Sequence, residues 1–360
     1  FSLISRINFT KYKVKPYFTY NYKNMLRNFL INIFFLVPVW FLNLIGIFNK
    51  DIKRKFSFDI QSKFVLSLIP QFNIHEVSDE NIPEVRNLIE QKRRNLRLYE
   101  NIKKSVEKID HQIGKDKNIK VREYIPYRTD NENIILFFHG GGYVLNSIET
   151  HDPTVKYFAE KLRTKIYSLD YSLSPEHQFP HQLNEGMKAI DWLINNGNSI
   201  NNISLCGDSA GAHLAASISH TLANENKENV HSQFLIYPMC DPDCDYESHE
   251  LFKENYLLTK KAMHWFWEKF QSKIEDEDNN TFNLMKYKEK TNLPQTIIVT
   301  AGFDPLSDEA ENYAFLLHKN GTFVKQLHYP SLFHGFASMT RLKAARKAVD
   351  DFLSEYKKIL

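Results

Sequence analysis

The chain has 360 residues, of which 42% are hydrophobic and 25% charged, a composition typical of a folded protein with a sizeable core. Its formal net charge of +3 is too small to indicate a nucleic-acid partner. The three cysteines, Cys206, Cys240 and Cys244, are too few and odd in number for a disulfide framework. Cys240 and Cys244 have only His249 nearby and no second ligand pair at zinc spacing, so we expect no metal site.

Residues 1–55 form a basic, apolar N-terminal segment with ten Lys and Arg residues and one acid, Asp51. Within it, Phe29 to Phe48 is a run of twenty residues without a charge, long enough to span a hydrocarbon core of about 30 Å. Two Asn and a Pro interrupt the run, which favours a helix lying on a membrane surface or over a cleft. The chain is therefore expected to be membrane-associated or cytoplasmic, and recovery in the soluble fraction at low salt would refute membrane association.

Residues 56–105 are predicted to form amphipathic helices. Pro83 follows two acidic residues and suits the first turn of a helix. Arg93, Arg94 and Arg97 lie among charged neighbours, a pattern that predicts a solvated helix face.

From about residue 106 the pattern changes to alternating strands and helices. Ile134–Phe138 is apolar at every position, which is typical of a strand buried on both faces. Similar strands are predicted at 119–125, 166–169, 203–206, 234–237, 296–299 and 323–328, and helices at 154–162, 183–193, 210–222, 309–318 and 342–356. This alternation predicts an α/β fold, a mostly parallel central sheet with helices on both faces. It breaks between about 241 and 291, which we interpret as an insertion.

The sequence from Gly207 to Gly211 reads Gly-Asp-Ser-Ala-Gly and stands between a predicted strand and an Ala-rich helix. Gly-x-Ser-x-Gly in that position is the pattern of a nucleophile elbow, a tight turn that leaves the serine hydroxyl exposed above the sheet. Ser209 is therefore a candidate nucleophile.

Three further elements follow predicted strands. Residues 139–143 are His-Gly-Gly-Gly-Tyr, and such a glycine run leaves backbone amides free to bind an oxyanion. Asp304 and His334 lie on loops after later strands, and the order Ser, acid, His is that of α/β hydrolases. Asp308 and Glu309 are rival acids, but Asp304 precedes a proline, which disfavours helical geometry and keeps this residue on the loop.

Together these motifs resemble the hormone-sensitive-lipase branch of α/β hydrolases, which includes bacterial carboxylesterases and arylacetamide deacetylases. The resemblance extends from about Asn133 to the C-terminus and includes Glu149–Pro153, Tyr171–His177, Asn255–Thr259 and Thr300–Glu309. It implies that Gly141, Gly142 and Ala210 supply the oxyanion amides and that Glu176 supports the loop beneath the elbow. It also implies a helical cap formed by residues 56–105 and the 241–291 insertion, on a catalytic domain of residues 106–360.

The expected function is a serine carboxylic-ester hydrolase that acts on small to medium acyl esters through an acyl-enzyme intermediate, without metal or cofactor. The same triad would serve an amidase or deacetylase of aryl amides, and a non-catalytic ligand-binding scaffold is a further alternative. The chain departs from the family pattern at Ala212 and His213, where a Gly and an Asn are usual, and it lacks the Ser-Pro motif often found in the insertion.

Overall fold

The computed structural model describes residues 31, 33–35, 37–46, 51–69, 73–102, 105–114, 118–288 and 293–360. The chain divides into two units, Phe1–Phe72 and Asn73–Leu360, each of which has its own contacts.

In the first unit, helix α1 covers Val39–Gly46 and helix α2 covers Ile60–Leu68. Asp59 caps α2 by accepting a 2.8 Å hydrogen bond from the Ser62 amide. Part of the apolar run from Phe29 to Phe48, including both of its ends, lies outside the described residues. None of the helices in the described part of the chain combines the length and apolar character that crossing a bilayer requires. Surface association of this run stays a prediction.

The second unit is built around an eight-stranded sheet. Its strands are β1 (Val106–Ile113), β2 (Ile119–Pro126), β3 (Ile134–Phe138), β4 (Lys165–Asp170), β5 (Ile203–Asp208), β6 (Ser232–Ile236), β7 (Gln295–Phe303) and β8 (Val324–Phe333). The spatial order is β8-β7-β6-β5-β3-β4-β2-β1. The neighbours from β8 to β4 pair in parallel, whereas β4 with β2 and β2 with β1 pair antiparallel.

The helices of this unit lie before, between and after the strands. They are α3 (Ile82–Leu96), α4 (Ile148–Leu162), α5 (His181–Asn195), α6 (Ala210–Asn224), α7 (Glu247–Leu251), α8 (Lys260–Phe270), α9 (Ser307–Lys319) and α10 (Lys343–Lys357). Every residue of β3, β5 and β6 is buried, as expected for strands covered on both faces. The predicted fold class, a mostly parallel α/β sheet, is confirmed.

The segment between β6 and β7 contains α7 and α8 but no strand within its described residues. The aromatic residues of α8 are buried, and the ring of Phe266 lies against Gly142 in the loop after β3. Trp267 packs instead beside His213 and Phe282. Phe266 therefore faces the glycine run, while Trp267 belongs to the core beneath it.

Candidate active site

Ser209 occupies a sharp turn between β5 and α6. Its φ of 56° and ψ of −122° are strained for a residue with a side chain, and its amide donates to the carbonyl of Ile236 at 2.9 Å. A Cβ on Gly207 would come within 2.3 Å of Gly211, and one on Gly211 within 2.0 Å of the Phe138 carbonyl. The spacing of the two glycines thus reflects backbone crowding, which gives the turn the geometry predicted for a nucleophile elbow.

His334 and Asp304 lie beside this turn, on the loops that follow β8 and β7. His334 Nε2 is 2.9 Å from Ser209 Oγ, and His334 Nδ1 is 2.9 Å from Asp304 Oδ2. The other carboxylate oxygen of Asp304 accepts the Leu306 amide at 2.9 Å. Because β5, β7 and β8 are parallel, their carboxyl ends meet at one edge of the sheet and bring these three residues together.

The rival acids have other partners. Asp308 Oδ2 accepts the amide of Ser248 at 2.9 Å. Glu309 Oε1 accepts the amide of Cys240 at 2.7 Å, and its Oε2 lies 3.1 Å from His249 Nε2. Asp304 is therefore the acid that bonds to His334.

The glycine run after β3 is held by Asp208, the residue before the candidate nucleophile. Asp208 Oδ1 accepts the Gly140 amide at 2.9 Å. Burial acts to raise the pKa of Asp208, but the adjacent His151 and this amide lower it below its usual value. No hydrogen bond from the amides of Gly141, Gly142 or Ala210 is found within the described residues, so all three amides are available to an incoming oxygen atom.

Two buried histidines support this region from below. His139 stacks on Tyr171 with ring centroids 4.3 Å apart, and burial lowers its pKa to about 3. His213 accepts from the Tyr143 hydroxyl at 2.6 Å and donates to the Phe282 carbonyl at 2.7 Å. Burial lowers the pKa of His213 to about 3, so the imidazole is neutral and makes one bond as acceptor and the other as donor. His213 thus joins the glycine loop to the segment after α8.

Cys244 and His249, which were considered for metal binding, have a third neighbour that is distant in sequence. Side-chain ligand atoms of Cys244, His249 and Glu309 lie within 4.8 Å of one another, and all three residues are buried. However, His249 Nδ1 accepts the Tyr246 amide at 3.3 Å, so the ring proton resides on Nε2, which lies 3.1 Å from Glu309 Oε2. A metal-binding histidine usually donates its second ring N–H instead, so the donor set does not suit a metal ion.

Helix α3 contributes a contact that the sequence patterns did not predict. Arg86 donates to the carbonyl of Val144 and, with both terminal nitrogens, to the carboxylate of Glu176, each at 2.7 Å. Glu176, expected beneath the elbow, therefore connects α3 to the loops around the glycine run. Arg94 and Arg97 are exposed as expected, but Arg93 is half-buried, so the prediction of a solvated face was wrong for this residue. In the sequence, the spacing of Arg93 from Ile82 and Ile89 places all three on one helix face, and this spacing predicts that Arg93 turns inward.

The chain is similar in sequence and in fold to known esterases. A family model described as alpha/beta hydrolase fold matches residues 135–338. Carboxylic ester hydrolase LipN of Mycobacterium tuberculosis is 31% identical over 235 residues, which cover 62% of this chain and 62% of that relative. An arylesterase of Saccharolobus solfataricus is 30% identical, with 63% and 75% covered. The solved structure of a hyperthermophilic esterase from Pyrobaculum calidifontis superposes with a TM-score of 0.73 at 29% identity, covering 83% of this chain and 96% of that one.

Proposed function

This chain belongs to the α/β-hydrolase family, in its hormone-sensitive-lipase-like branch, and on that premise we propose that it is a serine hydrolase of carboxylic esters. The observation that carries the proposal is the continuous chain of bonds from Ser209 Oγ through His334 to Asp304, each step 2.9 Å long. Small to medium acyl esters are the proposed substrates.

In the proposed first step, His334 Nε2 removes the Ser209 proton while Ser209 Oγ attacks the ester carbonyl carbon. The carbonyl π electrons move to its oxygen, and the resulting oxyanion accepts hydrogen bonds from the amides of Gly141, Gly142 and Ala210. When the intermediate collapses, the C–O bond to the alcohol breaks and His334 returns the proton to the leaving oxygen. An alcohol departs, and the acyl group remains as an ester of Ser209.

The second half repeats the proton transfers with water. His334 removes a proton from water as the water oxygen attacks the acyl carbon, and the same three amides receive the new oxyanion. Collapse then breaks the bond to Ser209 Oγ, which regains a proton from His334 and releases the carboxylic acid. Asp304 accepts Nδ1–H throughout, which keeps Nε2 available as the base and stabilises the imidazolium that forms.

The test is hydrolysis of p-nitrophenyl butyrate by the wild type and by Ser209→Ala. We expect kcat/KM to fall by several orders of magnitude, because the members of a triad act as a unit. Ser204→Ala is the matched control, since Ser204 is a buried serine on β5, the strand that leads into the turn, and its hydroxyl lies 2.8 Å from that of Ser232. Equal rates for Ser209→Ala and the wild type, or failure of a fluorophosphonate probe to label Ser209, would refute the mechanism.

Association of the 29–48 run with a membrane surface is a separate proposal, which rests on its apolar residues and basic flanks. Cell fractionation at low salt tests it independently of catalysis.

A further inference from the structure

Helix α3 presents an arginine toward the active site. Ile82, Arg86, Ile89 and Arg93 follow one another at spacings of four, three and four residues, which places them on one face of the helix. Ile82 is buried and the other three are half-buried, whereas the neighbouring Arg94 is exposed. Arg93 therefore lies on the inward face, two turns beyond Arg86.

Contacts near the two ends of α3 place it across the loops that carry the candidate catalytic groups. Toward its start, Arg86 Nε donates to the Val144 carbonyl at 2.7 Å, directly after the glycine run. Just past its end, the Leu98 carbonyl accepts the Arg341 amide at 2.9 Å, and the Glu100 amide donates to Thr340 Oγ1 at 2.9 Å. Residues 340 and 341 follow the His334 loop, so α3 extends from the glycine run to the histidine, with Arg93 in between.

The ionisable groups that act electrostatically on Arg93 belong to the active site. They are Asp208, which precedes Ser209, and Tyr237, whose ring centroid is 4.7 Å from that of His334. Burial lowers the pKa of Arg93, although both groups act to raise it, and a guanidinium remains protonated in proteins.

Arg93 differs from Arg86 and Arg94 in its hydrogen bonding to the described part of the chain. The Arg86 guanidinium donates hydrogen bonds to Glu176 and to two backbone carbonyls, and Arg94 forms an ion pair with Glu90. Among the residues that the structure describes, no hydrogen bond or ion pair engages the Arg93 guanidinium. A half-buried guanidinium whose N–H groups have no hydrogen-bond acceptor is unfavourable, and an anionic ligand that accepts from them would relieve that cost.

We propose that Arg93 is a specificity-determining residue that binds a carboxylate carried by the substrate, so that the preferred esters are anionic rather than neutral. The proposal rests on the function proposed above, because it names the substrate class of the same site. The planar guanidinium fork fits a carboxylate with two parallel hydrogen bonds. A single negative charge would neutralise Arg93, whereas a dianion would place excess charge near Asp208.

Matched pairs of substrates test the proposal. One pair is p-nitrophenyl hydrogen adipate and p-nitrophenyl methyl adipate, which places the carboxylate on the acyl side. The other is 4-butanoyloxybenzoate and its methyl ester, which places it on the alcohol side. In at least one pair, the wild type should show a higher kcat/KM for the anion. Arg93→Gln should lower the anion-to-neutral ratio by roughly 10- to 100-fold, mainly through KM, and Arg93→Lys should retain part of the preference.

Arg94→Gln is the control, since it removes an equal charge from the exposed face one residue away. The proposal is overturned if Arg93→Gln changes both members of each pair by the same factor, which would indicate a structural role. It is also overturned if the wild type prefers the methyl ester in both pairs. Absence of hydrolysis of all four esters, together with no labelling of Ser209, would instead refute the proposed function.

Discussion

Two of the buried carboxylate–histidine pairs in the described part of residues 73–360 have acids that are only five positions apart in the sequence. Asp304 bonds to His334 at 2.9 Å, and Glu309 lies 3.1 Å from His249. The distances are similar, yet the pairs differ in which ring nitrogen faces the acid. His334 uses Nδ1 and directs Nε2 to Ser209, whereas His249 uses Nε2 and its Nδ1 is occupied by the Tyr246 amide.

This difference separates His334, which can transfer protons, from His249, which only joins two structural elements. A histidine transfers protons only if its second nitrogen reaches a group that can react, and a hydroxyl in an exposed turn is such a group. A backbone amide cannot take that role, so the Glu309–His249 pair joins α7 to the start of α9. Ser248 strengthens this junction by donating its hydroxyl to the Pro305 carbonyl at 2.6 Å, next to Asp304.

Replacing each acid by its amide should have the largest effect and should separate the two roles. In Asp304→Asn, the new NH₂ group faces Nδ1 and favours the wrong tautomer, so kcat for p-nitrophenyl butyrate should fall by about 10⁴-fold. In Glu309→Gln, kcat should change by less than about threefold, while the free energy of unfolding should fall by about 1–3 kcal/mol because two donors oppose each other. Steady-state kinetics and urea denaturation measure both quantities.

The two variants control for each other, since each converts a fully buried carboxylate to an amide beside a histidine. If Glu309→Gln lost as much kcat as Asp304→Asn at unchanged stability, the assignment of the catalytic acid would be wrong.

A smaller loss is expected at the proposed oxyanion site. A Cβ on Gly142 would lie 2.2 Å from the Phe266 ring, at a φ of +61°. Gly142→Ala should therefore displace its amide and lower kcat by up to about 10²-fold, because one such donor contributes 10²–10³-fold. The double variant Gly142→Ala/Phe266→Ala should recover part of this loss by making room for the methyl group.

Gly197→Ala provides the control for backbone strain alone. Gly197 has a φ of +90° and nothing within 4 Å of an added Cβ. Its substitution should leave kcat unchanged. A Gly142→Ala variant with normal kcat would show that this amide is not needed for catalysis.

Sequence patterns predicted the fold and the candidate catalytic residues because those signals are local. Gly207 and Gly211 flank Ser209 within five residues, and the buried strand Ile134–Phe138 is apolar at every position. The choice of Asp304 over its rivals needed only the proline that follows it. In each case, a physical constraint acts on a few consecutive residues and determines which residue types can stand there.

The remaining features depend on residues that are distant in sequence. Glu309 meets His249 across 60 positions, because α9 begins after β7 while α7 belongs to the segment after β6. No spacing rule connects two residues on separate elements. The charged neighbours of Arg93 predict a solvated face, whereas the long-range bond from Arg86 to Val144 shows that this face of α3 turns inward.

His213 resembles His249 more than His334, because protein groups lie at both of its ring nitrogens. Its folded pKa of about 3 lies below the usual value of 6.5, so the unfolded state binds more protons between these values and stability must fall as pH falls through that window. Between pH 7 and pH 5 this one residue should remove about 2 kcal/mol from the free energy of unfolding.

His213→Asn tests this contribution, since an asparagine amide can also accept and donate a hydrogen bond but does not titrate. Urea denaturation at pH 7 and pH 5 should show a smaller decrease for the variant than for the wild type, by about 2 kcal/mol. The buried His139 and His220 titrate in the same direction, so some decrease will remain in the variant. Equal decreases in both proteins would mean that His213 becomes protonated in the folded state, and the bond to Tyr143 would then have to break.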